Sequence, residues 1–380
     1  MKIALLTTDN RGHFRDYAQP APFFGTAPEA LLQGFAALPE LEIHVVCCLQ
    51  QPVASPEKIA PNIFYHSLVV PKLGWMRTLY SGCVRATRRK LRELAPDIVH
   101  GQGSERDCAI AAARSGFPNV VTIHGNMKAI AQIYGAKFGS FHWLAEKLET
   151  AALKKTAGVC CNSAYTESLV APRARKTWRV PNALRSEFFA PLPPKKVSAR
   201  PIILNIGVAE PRKQQVEILA AARRLHQRGL KFELQFIGQT AESDYGKTFA
   251  RALVAAEAAG YARHLGQLST AQIIAALDAA AALVHFPTEE AFGLVTAEAL
   301  ARNLKFFGAA VGGGTEIAGG AEGAELFSPT DFPALETALA RWLDAGGPPP
   351  QNAAAAMRER YHPAVVARRH IEIYREVLGR

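Results

Sequence analysis

The chain has 380 residues, enough for two or three domains, and its 49% hydrophobic and 20% charged composition excludes a disordered or fibrous protein and lets it bury two separate cores. Lys and Arg outnumber Asp and Glu by 44 to 33, and the net charge of +11 favours anionic partners: nucleic acid, phosphorylated small molecules or an acidic lipid surface. The six cysteines, Cys47, Cys48, Cys83, Cys108, Cys160 and Cys161, show no CxxC spacing, which argues against a zinc site or a disulfide framework and predicts buried, reduced thiols.

The first apolar run, "KIALLTT" (2–8), reads as a strand. It is too short for a signal peptide or a membrane span, so the chain is expected in the cytoplasm. "FFGTAPEAL" (23–31) opens the first long helix at Gly25. Further strand patterns lie at 42–48, 63–70, 97–100, 119–124 and 158–163, then at 201–207, 232–238, 263–266, 281–286 and 304–309. They run apolar from end to end and alternate with helical patterns. That predicts an α/β protein whose two Rossmann-like, doubly wound domains face a cleft. The Pro- and Lys-rich stretch 191–200 is expected to link an N-terminal domain (1–190) to a C-terminal one (201–362), with a last helix (363–380) crossing back to the first.

Between 72 and 94, Leu73, Trp75, Leu79, Val84 and Leu91 are set among Lys72, Arg77, Arg85, Arg88, Arg89, Lys90 and Arg92. Such a basic amphipathic stretch either lies on anionic lipid at the inner face of a membrane or covers a sheet with a solvated basic face. The other basic residues are dispersed, without the stacking aromatics a nucleic-acid binder needs, so no nucleic-acid partner is expected. The first strand leads into "TDNRGHF" and not a glycine fingerprint, and "GQGSER" (101–106) is only a partial GxGxxG, which disfavours a nicotinamide enzyme.

In open parallel sheets ligands bind beyond the carboxyl ends of the strands. Those ends carry His100, His124, Gly207 and "PTEEAFGLVTAEAL" (287–300). In the last of these, the apolar spacing of Leu294, Val295, Ala297 and Leu300 predicts a helix from Phe292 to Asn303. Glu290 then lies in the loop before it and Glu298 about a turn and a half inside. Free amides at Phe292, Gly293 and Leu294 would attract a phosphate, and Gly293 would let the backbone approach it. Two carboxylates flanking an anion cradle suit a nucleotide sugar. The plainer readings stand beside this one. A helix-start Glu interacts favourably with the dipole without a ligand, Glu298 and Lys213 could be solvated, and His100 and His124 could be satisfied by nearby backbone.

"EAFGLVTAE" (290–298) resembles the E-x7-E signature of retaining GT-B glycosyltransferases of family four, the group one transferases. "GQLSTAQIIAALDAAAALVHFP" (266–287), "NIGVAEPRKQ" (205–214), "RVPNA" (179–183), "DIVHG" (97–101) and "VTIHGN" (121–126) resemble further blocks of that family, 205–214 the block "vGrl...KG". The resemblance implies that Glu298 binds the donor ribose and Glu290 the donor sugar near the reacting carbon. It places Lys213 on the diphosphate, His124 at the reaction centre and Gly25 in a loop near phosphates or acceptor. The chain departs from the pattern at Val208, where the family often has Arg after the glycine matching Gly207; the neighbouring Arg212 is the candidate to supply that charge. "RNLKFF" (302–307) replaces the family's "CG.PVV", and the glycine loop has one clear glycine.

The expected function is therefore retaining transfer of a sugar from a nucleotide-diphosphate sugar to a glycan, a lipid-linked acceptor or another hydroxyl, as in cell-envelope or exopolysaccharide synthesis. No cofactor is expected. No DxD-like pair sits at a loop tip, so Lys213, Arg212 and the helix amides are expected to do the work of a divalent metal. A nucleotide-sugar epimerase and a non-catalytic two-domain binding protein are the alternatives.

Overall fold

Each strand-like run of the sequence becomes a strand because helices on both sides bury it. The computed structural model describes residues 1–194 and 198–380. The chain divides into two units, Met1–Arg185 with Tyr361–Arg380, and Ser186–Arg360.

The first unit is built on β1 (Lys2–Leu6), β2 (Glu42–Leu49), β3 (Lys58–Ala60), β4 (Ile63–Val69), β5 (Ile98–Gln102), β6 (Asn119–Ile123), β7 (Gly158–Cys161) and β8 (Thr177–Arg179). Their order is β3-β4-β2-β1-β5-β6-β7-β8, parallel throughout except for the antiparallel edge strand β3. One face packs on Val84 and Leu91 of the helix Ser81–Leu94 and on Leu148 and Ala152 of the helix Phe141–Lys155. The other packs on Leu31 and Phe35 of the helix Thr26–Ala36 and on Ile371 and Tyr374 of the C-terminal helix Pro363–Val377. Each such aliphatic or aromatic side chain contributes about 1.5–3 kcal/mol on burial. Successive strand residues point to opposite faces. Cys47 and Cys160 accordingly lie in one core, and Cys48 and Cys161 in the other. All six cysteines are free and buried.

The second unit carries β9 (Ile202–Ile206), β10 (Glu233–Ile237), β11 (Ala262–His264), β12 (Ala282–His285), β13 (Lys305–Ala309) and β14 (Ala324–Phe327). All are parallel, in the order β11-β10-β9-β12-β13-β14. Its core is aromatic-rich, with Phe236, Phe249, Phe286, Phe307 and Trp342 buried together.

The division between units falls earlier than the expected 190/201. Arg302, 1% exposed, is paired with Asp278 at 2.7 and 2.8 Å and donates to the carbonyls of Phe188, Ala190 and Pro191. A buried guanidinium needs all its donors met, and satisfying them fastens residues 188–191 to the second unit. Residues 195–197 of the expected linker lie outside the described residues.

Residues 72–94 do not form one amphipathic element. Two short 3-10 turns, Lys72–Gly74 and Met76–Thr78, precede the helix Ser81–Leu94, and Leu79 and Tyr80 separate them with φ of 51° and 58°. Trp75 is buried and its indole donates to Val70 O, so it belongs to the core. Arg85, Arg88, Arg89 and Arg92 face solvent. No helix among the described residues is long and apolar enough to cross a membrane.

The C-terminal helix docks where Gly34 lets it: a Cβ on Gly34 would stand 2.3 Å from Pro363 O. Gly34→Val is expected to cost about 1–3 kcal/mol, the usual range for overpacking a close contact. Urea unfolding that leaves the midpoint unchanged would contradict this packing.

Candidate active site

The strand order of the second sheet reverses direction of growth between β9 and β12, the kind of switch point beyond whose carboxyl strand ends open parallel sheets take their ligands. The loops that follow them are laced together. Thr288 N–H donates to Arg212 O at 2.9 Å, Arg212 Nη1 donates to Glu289 O, and Gln214 Nε2 donates to Phe286 O at 2.7 Å. Gln214 has φ 54°, a left-handed conformation that favours glycine, and stands where the resembled block has one. Its side-chain bonds to Phe286 O and Pro329 O hold it there.

This lacing brings Lys213 and Glu290 together, 77 positions apart: Lys213 Nζ lies 2.6 Å from Glu290 Oε2. His285, the last residue of β12, meets the same oxygen through Nε2 at 3.0 Å. Burial by itself would raise the Glu290 carboxyl. The His285 hydrogen bond and the Lys213 charge outweigh it and hold Glu290 well below the usual carboxylate range. Burial and the Lys213 charge push His285 down, so its ring is neutral and Nε2–H is the donor. Both contacts fall on Oε2, and Oε1 has no partner among the described residues.

Arg212 is committed to carboxylates: Nη2 to Glu210 Oε1 at 2.8 Å and Nη1 near Glu289 Oε2 at 3.6 Å. A ligand phosphate would have to draw it from both. Gly207 follows β9 with φ 152°, a backbone that strains any other residue, and a Cβ there would meet only Gln215 Nε2 at an ordinary 3.9 Å.

The helix expected from Phe292 to Asn303 spans Leu294–Ala301. Gly293 is its N-cap at φ 97°, and a Cβ there would lie 3.2 Å from Thr296 Oγ1 and 3.3 Å from Gly314 Cα. That left-handed turn delays the helix, and the amides of Gly293, Leu294 and Val295 have no acceptor among the described residues. The Phe292 side chain is buried. Glu298 is only 6% exposed and Thr296 1%, and the Thr296 hydroxyl has no partner among the described residues.

In the first unit, His124 follows β6, and its Nε2 lies 2.9 Å from Gln102 Oε1 at the end of β5. Burial pushes His124 down to about 4, opposed by the Asn182 side chain, so the ring is neutral near pH 7. Glu105 Oε1 accepts the Gly125 amide at 2.9 Å and anchors the turn after His124. His100 is wholly buried, with its nitrogens on Tyr374 and Thr122. Gly25 caps the helix Thr26–Ala36 at φ −67°, and a Cβ there would meet only Pro28 at an ordinary 3.7 Å. Its backbone makes no demand for glycine.

Two groups among the described residues have metal-ligand composition, His100/Cys160/His370 and Cys48/Cys83/Asp107, both in the core of the first unit. Around Lys213 the carboxylates are already matched by cations. Sequence reasoning passed over His285, Thr296, Gln102 and Glu105. His285 had a visible signal, a polar residue closing an otherwise apolar strand.

The family model described as glycosyl transferases group 1 matches residues 191–360, and that described as Glycosyltransferase Family 4 matches residues 30–187. No curated protein matches the chain in sequence. Among solved structures, sucrose-phosphate synthase from Thermosynechococcus elongatus is similar at a TM-score of 0.77 and 20% identity, covering 100% of this chain and 99% of its own. Anabaena HepE in complex with UDP and glucose is similar at 0.73 and 15%, covering 99% and 100%. The trehalose-6-phosphate protein from E. coli, bound with UDP-2-fluoro glucose, is similar at 0.70 and 14%, covering 100% and 99%.

The depressed Glu290 carboxyl contributes stability that is present above about pH 4.5, the usual carboxyl range, and lost as pH falls toward the folded-state value. Glu290→Gln is therefore expected to lower the melting temperature at neutral pH and to flatten its fall between about pH 5 and pH 3. Parallel melting curves for the two proteins across that range would show that the Lys213–Glu290 contact contributes nothing.

Proposed function

Because the chain belongs to the group 1, family 4 glycosyltransferases of the GT-B fold, and so is a glycosyltransferase, we propose that it transfers a sugar from a nucleotide-diphosphate sugar to a hydroxyl acceptor with retention of configuration and without a metal. The observation that carries this reading is the meeting of Lys213, Glu290 and the open amides of Leu294 and Val295 at the switch point of the second sheet.

In this proposal the diphosphate takes the place beside Lys213 and the helix start. Negative charge grows on the distal phosphate as the glycosidic bond breaks. A fixed ammonium and two amides aimed at that charge stabilise it more in the transition state than in the ground state. Glu290 Oε1 accepts from a hydroxyl of the sugar, and Glu298 from the ribose. Arg212 joins the phosphates only by leaving Glu210 and Glu289. The acceptor hydroxyl attacks from the face the leaving group vacates, its oxygen bonding to the anomeric carbon as the carbon–phosphate-oxygen bond breaks and its proton passing to the departing phosphate, and His124 contacts the sugar or the reacting oxygens. The uridine diphosphate sugars in the HepE and E. coli complexes support a nucleotide sugar as donor.

We further propose a glycan or lipid-linked acceptor, with the protein working in the cytoplasm at the inner face of an anionic membrane. Leu73 is 73% exposed, and Val69 and Leu79 are exposed beside a groove that Arg85 and Arg89 line. Apolar tips ringed by arginines suit a headgroup layer.

Lys213→Ala is expected to lower kcat about 100- to 1,000-fold, the usual loss for a stabiliser of developing charge. Glu298→Ala is expected to act mainly on donor KM. Full activity in both variants overturns the site. Melting shifts with UDP-, GDP- and ADP-sugars identify the base, a ligand at 100 times its Kd giving about 2.7 kcal/mol. For the membrane, binding to anionic vesicles at low salt, lost in Arg88→Glu/Arg89→Glu, is the expected result; absence of binding by the unaltered protein ends that part of the proposal.

A further inference from the structure

Behind His124 lies a run of polar side chains that the proposed reaction does not use. Tyr374, on the C-terminal helix, places its hydroxyl 2.5 Å from His100 Nδ1. His100 Nε2 lies 2.7 Å from Thr122 Oγ1. The Gln102 amide stands between the two imidazoles: its Nε2 is 3.0 and 3.3 Å from the His100 ring nitrogens, and its Oε1 is 2.9 Å from His124 Nε2. Tyr374, His100 and Gln102 are 0%, 0% and 5% exposed, so no water competes for these contacts.

The orientation of the Gln102 amide gives this run its direction. Its nitrogen lies toward the His100 ring, which then accepts, and its oxygen faces His124. A carboxamide oxygen accepts and never donates, so the His124 nitrogen facing it carries a proton. In a neutral ring the other nitrogen, Nδ1, is then a bare lone pair. That atom is buried and, although the Asn182 side chain acts on the ring, makes no hydrogen bond among the described residues. A buried acceptor left unmet costs stability, which marks Nδ1 as a place where a ligand completes the bonding.

We infer that Gln102, held by His100 and Tyr374, is a positioning residue that fixes His124 as the Nε2–H tautomer, so that His124 Nδ1 accepts a hydrogen bond from a substrate hydroxyl. The inference rests on the proposed placement of His124 at the reacting centre. It makes His124 an orienting acceptor that selects a hydroxyl-bearing group, and not a proton donor to the leaving phosphate. It also gives the returning C-terminal helix a chemical task, since Tyr374 backs the side chain that sets the tautomer.

The test uses the full chain labelled with nitrogen-15 in histidine, with His124 signals identified by their loss in His124→Gln. Long-range proton–nitrogen spectra of the unaltered protein are expected to show Nε2 protonated and Nδ1 bare. Gln102→Met, which removes the acceptor, is expected to mix the tautomers and lower kcat by about tenfold or more, as when the group orienting a histidine is lost. Gln102→Glu keeps an acceptor and is expected to keep the tautomer. Tyr374→Phe, which removes only a hydroxyl, is expected to shift the mixture partway and covers the case in which Gln102→Met does not fold. A protonated Nδ1 in the unaltered protein overturns the inference, as does an unchanged tautomer in both Gln102→Met and Tyr374→Phe. Full activity in His124→Ala would instead remove His124 from the reaction, while the spectra still report whether Gln102 sets its ring.

Discussion

Everything proposed for the second unit depends on one contact, the Lys213–Glu290 pair. Neither residue is held by its own secondary structure: Lys213 ends a 3-10 turn after β9 and Glu290 lies in the loop after β12. Those two strands are neighbours in the sheet because the order of the parallel strands turns back between them. Such a reversal is where open parallel sheets take ligands. The pair thus stands at the place where the proposal seats the donor. Two bonds on Oε2 steady the carboxylate, and Oε1 has no partner among the described residues.

The chemistry around this pair is one of balanced charge. Lys213, Arg212 and the His285 donor face Glu290, Glu210 and Glu289. In the proposed reaction an incoming diphosphate would not enter an empty positive pocket; it would compete with carboxylates for the same cations. Such competition would weaken ground-state binding, whereas the amides of Leu294 and Val295 have no rival acceptor among the described residues. Charge growing during bond cleavage would then meet donors already in place, the condition under which electrostatic stabilisation raises turnover and not merely affinity.

The sequence showed the frame plainly. Runs such as "KIALL" and "ALVH" are apolar throughout because a parallel sheet buries both faces, and that signal survives without any tertiary knowledge. Strands β3, β8 and β14 were not legible, because three or four residues are too few to carry a period and such strands form by pairing with an existing edge. Leu73 to Leu91 read as one amphipathic stretch because spacing alone cannot tell two left-handed residues from helical ones, and it placed Trp75 with a surface it does not share.

By itself the sequence determined two α/β halves, the glutamates at 290 and 298, and the block that supplies Lys213, since these rest on local pattern. Tertiary structure decided which of those side chains meet. His285 joins Glu290, Gln102 turns toward His124, and Tyr374 returns from the far end of the chain to lie against His100. Such pairings span up to 274 positions. They are set by strand order and helix docking, and no local window of residues encodes either.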